Sequence, residues 1–155
     1  MNILLLGSSG LIGAAVHAKL RATAHTVIAP TSVELDFQCP DTWAAWLLQA
    51  DALVNCVGVM SADSGLMQSV QYTAPQALYQ QAQDKGVGYV LQVSALGADA
   101  HAKTVFFAQQ RRIGCMVAGK RPERGYRASQ FGVFQNRTQQ SLVCELGQAA
   151  TPVVA

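Results

Sequence analysis

The sequence predicts an α/β domain in which helices cover a doubly wound parallel sheet. Short apolar runs alternate with segments of helical spacing along the first two thirds of the chain, and glycine or proline ends most of the runs. Strands that alternate with helices are joined by crossovers, which place the strands parallel in one sheet. The length of 155 residues suits one domain of ordinary size and is too short for two.

The N-terminal part of the chain predicts three strands and one helix. The first strand, 3–6, is an apolar run that ends at Gly7, and residues 11–20 carry apolar side chains at helical spacing. A second strand over 26–29 is closed by a proline. Residues 33–37 predict a brief third strand.

Two further strands follow, separated by helical segments. A helix is predicted over 42–49, and the fourth strand, 52–57, ends at a glycine. The fifth strand, 89–94, is largely apolar, as expected of a strand that is buried on both faces of a sheet.

The long helical stretch between these strands, 66–85, contains a proline that conflicts with a helix interior. Pro75 removes one backbone donor, and proline is tolerated only in the first turn of a helix. We therefore expect the helix proper to begin near Ala74. Gly86 is expected to end it as a C-cap.

Charge and composition divide the chain near Ala108. Residues 1–108 hold four basic and seven acidic side chains, a net charge of −3, whereas residues 109–155 hold seven basic and two acidic ones, a net charge of +5. The second segment also has seven glutamines, and only two leucines against thirteen in the first. We therefore predict a folded domain over 1–108 and an irregular basic tail over 109–155.

Other sequence features bear on location and on metal binding. No apolar run approaches the roughly 18–20 residues of a membrane helix, and Met1 leads into the first strand without a basic region or cleavage site, so we expect a cytoplasmic protein. The cysteines are widely spaced and no histidine stands at ligand spacing, which favours reduced thiols over a zinc site or a disulfide framework. These cysteines are Cys39, Cys56, Cys115 and Cys144.

The glycine-rich turn between the first strand and its helix is the strongest chemical signal. The first glycine permits a tight turn, the second lets phosphates approach the backbone, and the third lets the helix pack closely on the strand. Free backbone N–H groups and the helix dipole at such a turn suit a pyrophosphate, so the pattern predicts dinucleotide binding, with a purely structural turn as the alternative. The turn consists of Gly7, Ser8, Ser9, Gly10, Leu11, Ile12 and Gly13.

Four segments together resemble one known superfamily. They are the glycine turn and residues 35–37, 54–58 and 93–98. The chain resembles the short-chain dehydrogenase/reductase superfamily, in particular its extended and atypical members: the NAD-dependent epimerase/dehydratase type, the NmrA-like sensors and the relatives of the complex I 39-kDa subunit. The resemblance covers about residues 2–107. It implies a Rossmann-like fold, incomplete at its C-terminal end, that binds NAD or NADP.

The resemblance also implies roles for individual residues. Asp36 would accept a hydrogen bond from the adenine amine with Phe37 beside the ring, and Ser94 stands where the family has its catalytic serine. The residues that would line the cofactor after the fourth strand are Asn55, Cys56, Val57 and Gly58. The alternatives are a solvated acid at Asp36, a structural hydrogen-bonding role for Asn55 and a non-catalytic loop hydroxyl at Ser94.

The Tyr-x-x-x-Lys dyad of the family is missing. Phe106 and Gln110 occupy the matching positions, so the family's proton transfer cannot run there. His101 has the chemistry of an acid or base, although a lone histidine in a polar loop is usually a solvated one. The sequence also indicates no preference between NAD and NADP, because the Thr31 and Ser32 hydroxyls after the second strand suit either form of the ribose.

Three functions are compatible with these observations. The first is a dinucleotide-binding protein of the epimerase, dehydratase or reductase type, acting on a small-molecule substrate. The second is a non-catalytic assembly factor or redox sensor, which Phe106 favours. The third is a nucleic-acid or membrane-surface protein that uses the basic tail, although this tail lacks the interleaved aromatic residues that base stacking requires.

The tail also suggests a hypothesis about the reading frame. Back-translating residues 129–152 and reading one base later can give S-L-V-F-S-R-T-G-R-S-S-R-L-F-A-N-L-A-R-L-P, which resembles the sixth strand and helix of the family. The same shift at residues 109–111 can give S-K and restore the dyad lysine, with Phe106 still in the tyrosine's place. We hypothesise that residues 109–155 are a translation in the wrong frame.

The coding DNA tests this hypothesis. If it is correct, reading one base later from near codon 109 continues without early stop codons into the missing strand and helix. Early stop codons in that frame would contradict it. The hypothesis also predicts that residues 109–155 pack poorly, so a well-ordered sixth parallel strand there would count against it.

Overall fold

The computed structural model describes residues 1–93 together with Thr104 and Ile113, and this part of the chain forms a four-stranded parallel sheet with helices. The strands are β1 (Asn2–Leu6), β2 (Thr26–Ile28), β3 (Ala52–Asn55) and β4 (Tyr89–Gln92). The helices are α1 (Leu11–Leu20), α2 (Ala44–Leu47), α3 (Ser64–Gln68) and α4 (Ala74–Asp84), with a 3-10 turn at Pro40–Thr42 and a π-helical turn at Ser69–Thr73. The predicted α/β class with a parallel sheet is confirmed.

The strand order β2-β1-β3-β4 places β1 between two neighbours. Leu4 of β1 lies opposite Ile28 of β2 on one side and Leu53 of β3 on the other. The chain therefore leaves β1 in one direction to form β2, and then passes to the other side of β1 to form β3. In open parallel sheets, such a reversal leaves a crevice at the carboxyl ends of the strands, where ligands bind.

The prediction of a strand over 33–37 is wrong, because this segment forms a turn. Oε2 of Glu34 accepts hydrogen bonds of 2.8 Å from both the backbone N–H and the hydroxyl of Thr31. The N–H groups of Glu34 and Leu35 in turn donate to the Thr31 carbonyl, at 3.1 and 3.0 Å. These local bonds use the backbone groups that a strand would offer to a neighbour.

The predicted helical stretch over 66–85 is divided where the proline indicated. A π-helical turn joins α3 to α4, and α4 begins at Ala74 with Pro75 in its first turn, as expected. Gly86 adopts φ +79°, and its N–H donates to the Gln83 carbonyl at 3.0 Å. It therefore ends the helix in the left-handed conformation that glycine adopts without strain.

The core lies on both faces of the sheet, because β1 alternates its side chains between them. Ile3 and Leu5 pack in one cluster with Val16 and Leu20 of α1. The other cluster holds Leu4 and Leu6 of β1 with side chains from β3, α2, α4 and the loops, among them Leu53, Trp43, Leu47, Leu78 and Tyr79. Such alternation identifies β1 as a strand buried on both faces.

The second cluster also contains Ile113, which is fully buried although it follows the boundary predicted at residue 108. The chain beyond that boundary thus contributes a side chain to the core. Ser94, His101, Phe106, Gln110 and the rest of the predicted tail other than Ile113 lie outside the described residues. Within the described part, no helix has the length and apolar character needed to cross a membrane.

Replacing Leu4 tests the central position of β1. Leu4→Ala is expected to lower the free energy of unfolding by about 2–5 kcal/mol, because it leaves a cavity at a fully buried site. The matched control is Leu48→Ala, at a side chain that is 66% exposed, where the loss should stay near 0.5 kcal/mol. Urea unfolding followed by tryptophan fluorescence measures both losses. Equal losses in the two variants would contradict this account of the core.

Candidate functional site

The glycine turn joins the carboxyl end of β1 to the N-terminus of α1. Gly7 adopts φ +76°, and its carbonyl accepts a hydrogen bond of 3.0 Å from the Gly10 N–H. The Gly10 carbonyl then accepts from the Ala14 N–H at 2.8 Å, which begins the helix. The sequence-predicted turn is therefore present in the strand-to-helix position that its chemistry requires.

Two of the three glycines are required by the packing of the fold itself. A Cβ atom on Gly13 would lie 1.9 Å from the Gly7 carbonyl oxygen, a distance that no real contact allows. A Cβ on Gly7 would lie 2.9 Å from the backbone of both Cys56 and Val57, at the end of β3. The turn is thus packed between the first turn of α1 and the segment that follows β3.

Gly10 differs from the other two because neither conformation nor internal packing requires it. Its backbone is extended, with φ −77° and ψ 166°, which any residue adopts, and an added Cβ would come only to 3.4 Å from the Gly7 carbonyl oxygen. Gly10 is exposed and offers no side chain to cap α1. Because Gly10 has no side chain, the N-terminus of α1 is open to an external group.

The segment after β3 forms the opposite side of this crevice. The Cys56 N–H donates to the Leu6 carbonyl at 3.0 Å, and the Val57 N–H donates to Oδ1 of Asn55 at 2.9 Å. Burial raises the pKa of the Cys56 thiol to about 12, so this thiol is protonated at neutral pH and is not an activated nucleophile. In the described part of the chain, no three His, Cys, Asp or Glu side chains are placed to share a metal ion.

A buried hydrogen-bond network holds Asn55 in place. Its amide nitrogen donates to the Tyr79 hydroxyl at 3.0 Å and to Oε1 of Gln92 at 2.9 Å, and the Tyr79 hydroxyl also donates to Gln92. Burial raises the pKa of Tyr79, while the hydrogen bond from Asn55 opposes this change, so the phenol stays protonated. The network joins the ends of β3 and β4 to α4 and, through the Val57 N–H, fixes the backbone on which Gly7 packs.

A second buried amide holds the loop that continues from β3. Nε2 of Gln71, in the π-helical turn, donates to the Val59 carbonyl at 2.7 Å. A Cβ on Gly58 would lie 3.6 Å from the same nitrogen, so Gly58 has room for a side chain. Asp63 then caps α3 by accepting hydrogen bonds from the Gly65 and Leu66 N–H groups.

The loop after β2 is anchored to the core at Asp36. The Asp36 carbonyl accepts hydrogen bonds from Nε1 of the buried Trp43 at 2.8 Å and from the Thr42 hydroxyl at 3.1 Å. Phe37 is half-buried, and the centroid of its ring lies 6.5 Å from the ring centroid of Trp43. The Asp36 carboxylate is exposed and accepts from the Gln38 N–H at 2.9 Å.

The structure brings most of the predicted site residues to the carboxyl edge of the sheet. The glycine turn contacts the segment after β3 directly, and Thr31 follows the carboxyl end of β2, the strand next to β1. The Asn55 side chain uses both its amide nitrogen and its oxygen in the buried network. Ser94, the predicted catalytic serine, lies outside the described residues.

Four polar side chains that sequence reasoning missed hold this edge in place: Glu34, Gln71, Tyr79 and Gln92. The Thr-x-x-Glu spacing of Thr31 and Glu34 is a capping-box pattern and was a usable signal. The other three have no local signature, because their partners are distant in sequence.

Removing the Asn55 side chain tests the network. Asn55→Ala is expected to lower the free energy of unfolding by about 2–4 kcal/mol, since it leaves the Val57 N–H, the Tyr79 hydroxyl and Gln92 short of partners in a buried site. Asn2→Ala, at an exposed asparagine, is the matched control and should cost about 0.5 kcal/mol or less. Urea unfolding of both variants decides the point, and a loss at Asn55 no larger than that at Asn2 would refute the network's importance.

No protein-family model and no curated protein matches the chain by sequence.

Solved structures do match the fold. A short-chain dehydrogenase/reductase superfamily protein from Agrobacterium tumefaciens with bound NAD has a TM-score of 0.67 at 18% identity, over 77% of this chain and 44% of the other. UDP-glucose 4-epimerase of Thermus thermophilus, complexed with NAD, has a TM-score of 0.67 at 15% identity, over 77% and 50%. dTDP-4-dehydrorhamnose reductase from Yersinia enterocolitica has a TM-score of 0.63 at 16% identity, over 76% and 48%.

This chain thus spans about half the length of these structures. The family resemblance drawn from the sequence is confirmed at the level of the fold. The chain has the Rossmann-like α/β fold found in these dehydrogenase, epimerase and reductase structures.

Proposed function

We propose that this chain binds NAD or NADP, with the pyrophosphate at the turn from Gly7 to Gly13 and without the proton transfer of a Tyr-x-x-x-Lys dyad. The observation that supports the proposal best is that nothing in the fold requires a glycine at position 10. Gly7 and Gly13 are explained by internal packing, whereas Gly10 is bare, exposed and unconstrained by the fold. A phosphate can approach the backbone closely at this position only if the residue has no side chain.

The electrostatics of the turn support an anionic ligand. Gly10 supplies no capping side chain, so the first N–H groups of α1, at Leu11 and Ile12, remain available as donors. The dipole of this ten-residue helix adds positive potential at the same end. Leu11 and Ile12 are 82% and 41% exposed, although apolar, which is consistent with side chains that a bound dinucleotide covers.

The position of this turn in the sheet also supports the proposal. The crevice lies at the carboxyl ends of β1 and β3, where the strand order reverses. Two of the similar structures were solved with NAD. In the proposed complex, Asp36 and Phe37 face the adenine, and the backbone from Cys56 to Gly58 lines the crevice.

The reaction is proposed only as a class. An oxidoreductase or epimerase of this type needs a proton donor beside the nicotinamide, and Phe106 and Gln110 offer none at the dyad positions. Ser94 alone would orient a substrate without exchanging its proton. A non-catalytic assembly factor or redox sensor is therefore the second candidate, favoured by Phe106.

We propose that the dinucleotide-binding domain spans residues 1–108, that residues 109–155 form a basic tail of wrong-frame origin, and that the protein acts in the cytoplasm. The third candidate, binding of nucleic acid or a membrane surface, depends on that tail alone.

Gly10→Asp tests the proposed site. A carboxylate there would obstruct the pyrophosphate and repel it, so affinity for NADH and NADPH is expected to fall at least about tenfold. The matched control is Gly88→Asp, because a Cβ on Gly88 would also lie 3.4 Å from a backbone carbonyl oxygen, that of Asp51, at the amino edge of the sheet. Calorimetric titration measures the affinities, and circular dichroism verifies that both variants fold. Equal affinity of wild type and Gly10→Asp for these dinucleotides would contradict the proposal that the pyrophosphate binds at this turn.

A further inference from the structure

The buried network of Asn55, Tyr79 and Gln92 has only one pattern of hydrogen bonds that satisfies its members. Nδ2 of Asn55 donates one hydrogen to the Tyr79 hydroxyl at 3.0 Å and the other to Oε1 of Gln92 at 2.9 Å. The Tyr79 hydroxyl donates its hydrogen to the same Oε1. Both hydrogens of the Asn55 amide and both lone pairs of Oε1 are then used, so no bond can reverse without leaving a buried group unpaired.

The other polar atom of each amide holds the backbone where its own strand ends. Oδ1 of Asn55 accepts a hydrogen bond from the Val57 N–H at 2.9 Å, and Nε2 of Gln92 donates to the Val93 carbonyl at 2.6 Å. The Val93 N–H in turn donates to the Asn55 carbonyl at 3.0 Å. The backbone after β3 and the backbone after β4 are therefore fixed relative to each other through the network.

The network is also in direct packing contact with the glycine turn. A Cβ on Gly7 would lie 2.9 Å from the Val57 nitrogen, the same nitrogen whose hydrogen the network holds. The glycine turn follows β1, which lies between β2 and β3 in the sheet. In the proposed complex the pyrophosphate lies at β1 and the adenine lies on the β2 side, at Asp36 and Phe37. The nicotinamide half of the dinucleotide then extends over the carboxyl ends of β3 and β4.

We propose that Tyr79 and Gln92 are positioning residues for the nicotinamide half of the dinucleotide, because they fix the spacing between the backbone at Val57 and the backbone at Val93. The inference rests on the proposed dinucleotide function and adds residues remote from the pyrophosphate. Tyr79 and Gln92 are only 3% and 8% exposed, so they act through this backbone and not by contact with the ligand. A spacing that is fixed before binding lowers the cost of ordering the site around the ligand.

Tyr79 holds the two amides from outside the strands that they belong to. It comes from α4 and lies in the core cluster on that face of the sheet. Tyr79→Phe would remove the hydroxyl, and with it one acceptor of Asn55 and one donor to Gln92, while the ring still fills the core. The two amides then lose their common partner, and the spacing of the backbone that they hold is released.

The test compares NADH with ADP, which has the adenosine and both phosphates but no nicotinamide half, by calorimetric titration of the full chain. Tyr79→Phe is expected to weaken NADH binding at least about fivefold and to change ADP binding less than about twofold. Gln92→Met keeps the length of the side chain without its hydrogen bonds and should show the same selective loss. The matched control is Tyr89→Phe, which removes a hydroxyl from an exposed tyrosine at the amino end of β4 and should change neither affinity.

A second measurement uses wild type alone and so does not depend on the folding of the variants. At saturation, NADH should slow hydrogen exchange of the Val57 and Val93 amides at least about threefold more than ADP does, because only NADH covers the backbone that the network holds.

The outcomes separate this inference from the proposed function. An equal loss of NADH and ADP binding in the folded variants, no loss of NADH binding, or equal protection of the two amides by NADH and ADP would each overturn the positioning role. The proposed function would then still stand. Binding of neither NADH nor ADP to wild type would overturn the proposed function, and the positioning role with it.

Discussion

The close approach of Gly13 to the Gly7 carbonyl determines how the rest of this edge is arranged. With 1.9 Å between a Cβ on Gly13 and that oxygen, α1 can leave the turn at its present angle only if residue 13 has no side chain. Once the helix is seated, Val16 and Leu20 pack on Ile3 and Leu5 of β1 and form the core on that face. The same approach points the N-terminus of α1 at the crevice, so one steric constraint sets both the packing of this helix and the geometry of the proposed binding site.

The other side of the crevice depends on hydrogen bonding rather than on steric fit. Asn55 satisfies the Val57 N–H while it bonds to Tyr79 and Gln92, so three elements distant in sequence fix the backbone against which Gly7 lies. A buried polar network of this kind is stabilising only when every member is satisfied. Its members are therefore expected to tolerate substitution poorly, although none of them needs to touch a ligand.

The sequence was sufficient to predict features set by local chemistry. The apolar runs predicted the four observed strands, the glycine spacing predicted the turn, and Pro75 marked the start of α4. The prediction of a strand over 33–37 is wrong because the local hydrogen bonds between Thr31 and Glu34 compete with strand pairing, although the segment alternates like a strand. The roles of Tyr79 and Gln92 depend on contacts with a residue more than twenty positions away, which no local pattern encodes.

The residues proposed to hold the dinucleotide and the two dyad positions, 106 and 110, lie in different segments of the chain. Every group proposed to hold the dinucleotide, from Gly7 to Gly58, comes well before the predicted boundary at residue 108, and its supporting hydrogen bonds come from residues up to Gln92. The proposed dinucleotide site therefore does not depend on the frame in which the residues after that boundary are read, provided that the core retains an apolar group at the place of Ile113. Restoring the other frame would return a lysine at residue 110 and still leave Phe106 without a hydroxyl, so the proton transfer of the dyad is missing at these positions in either frame.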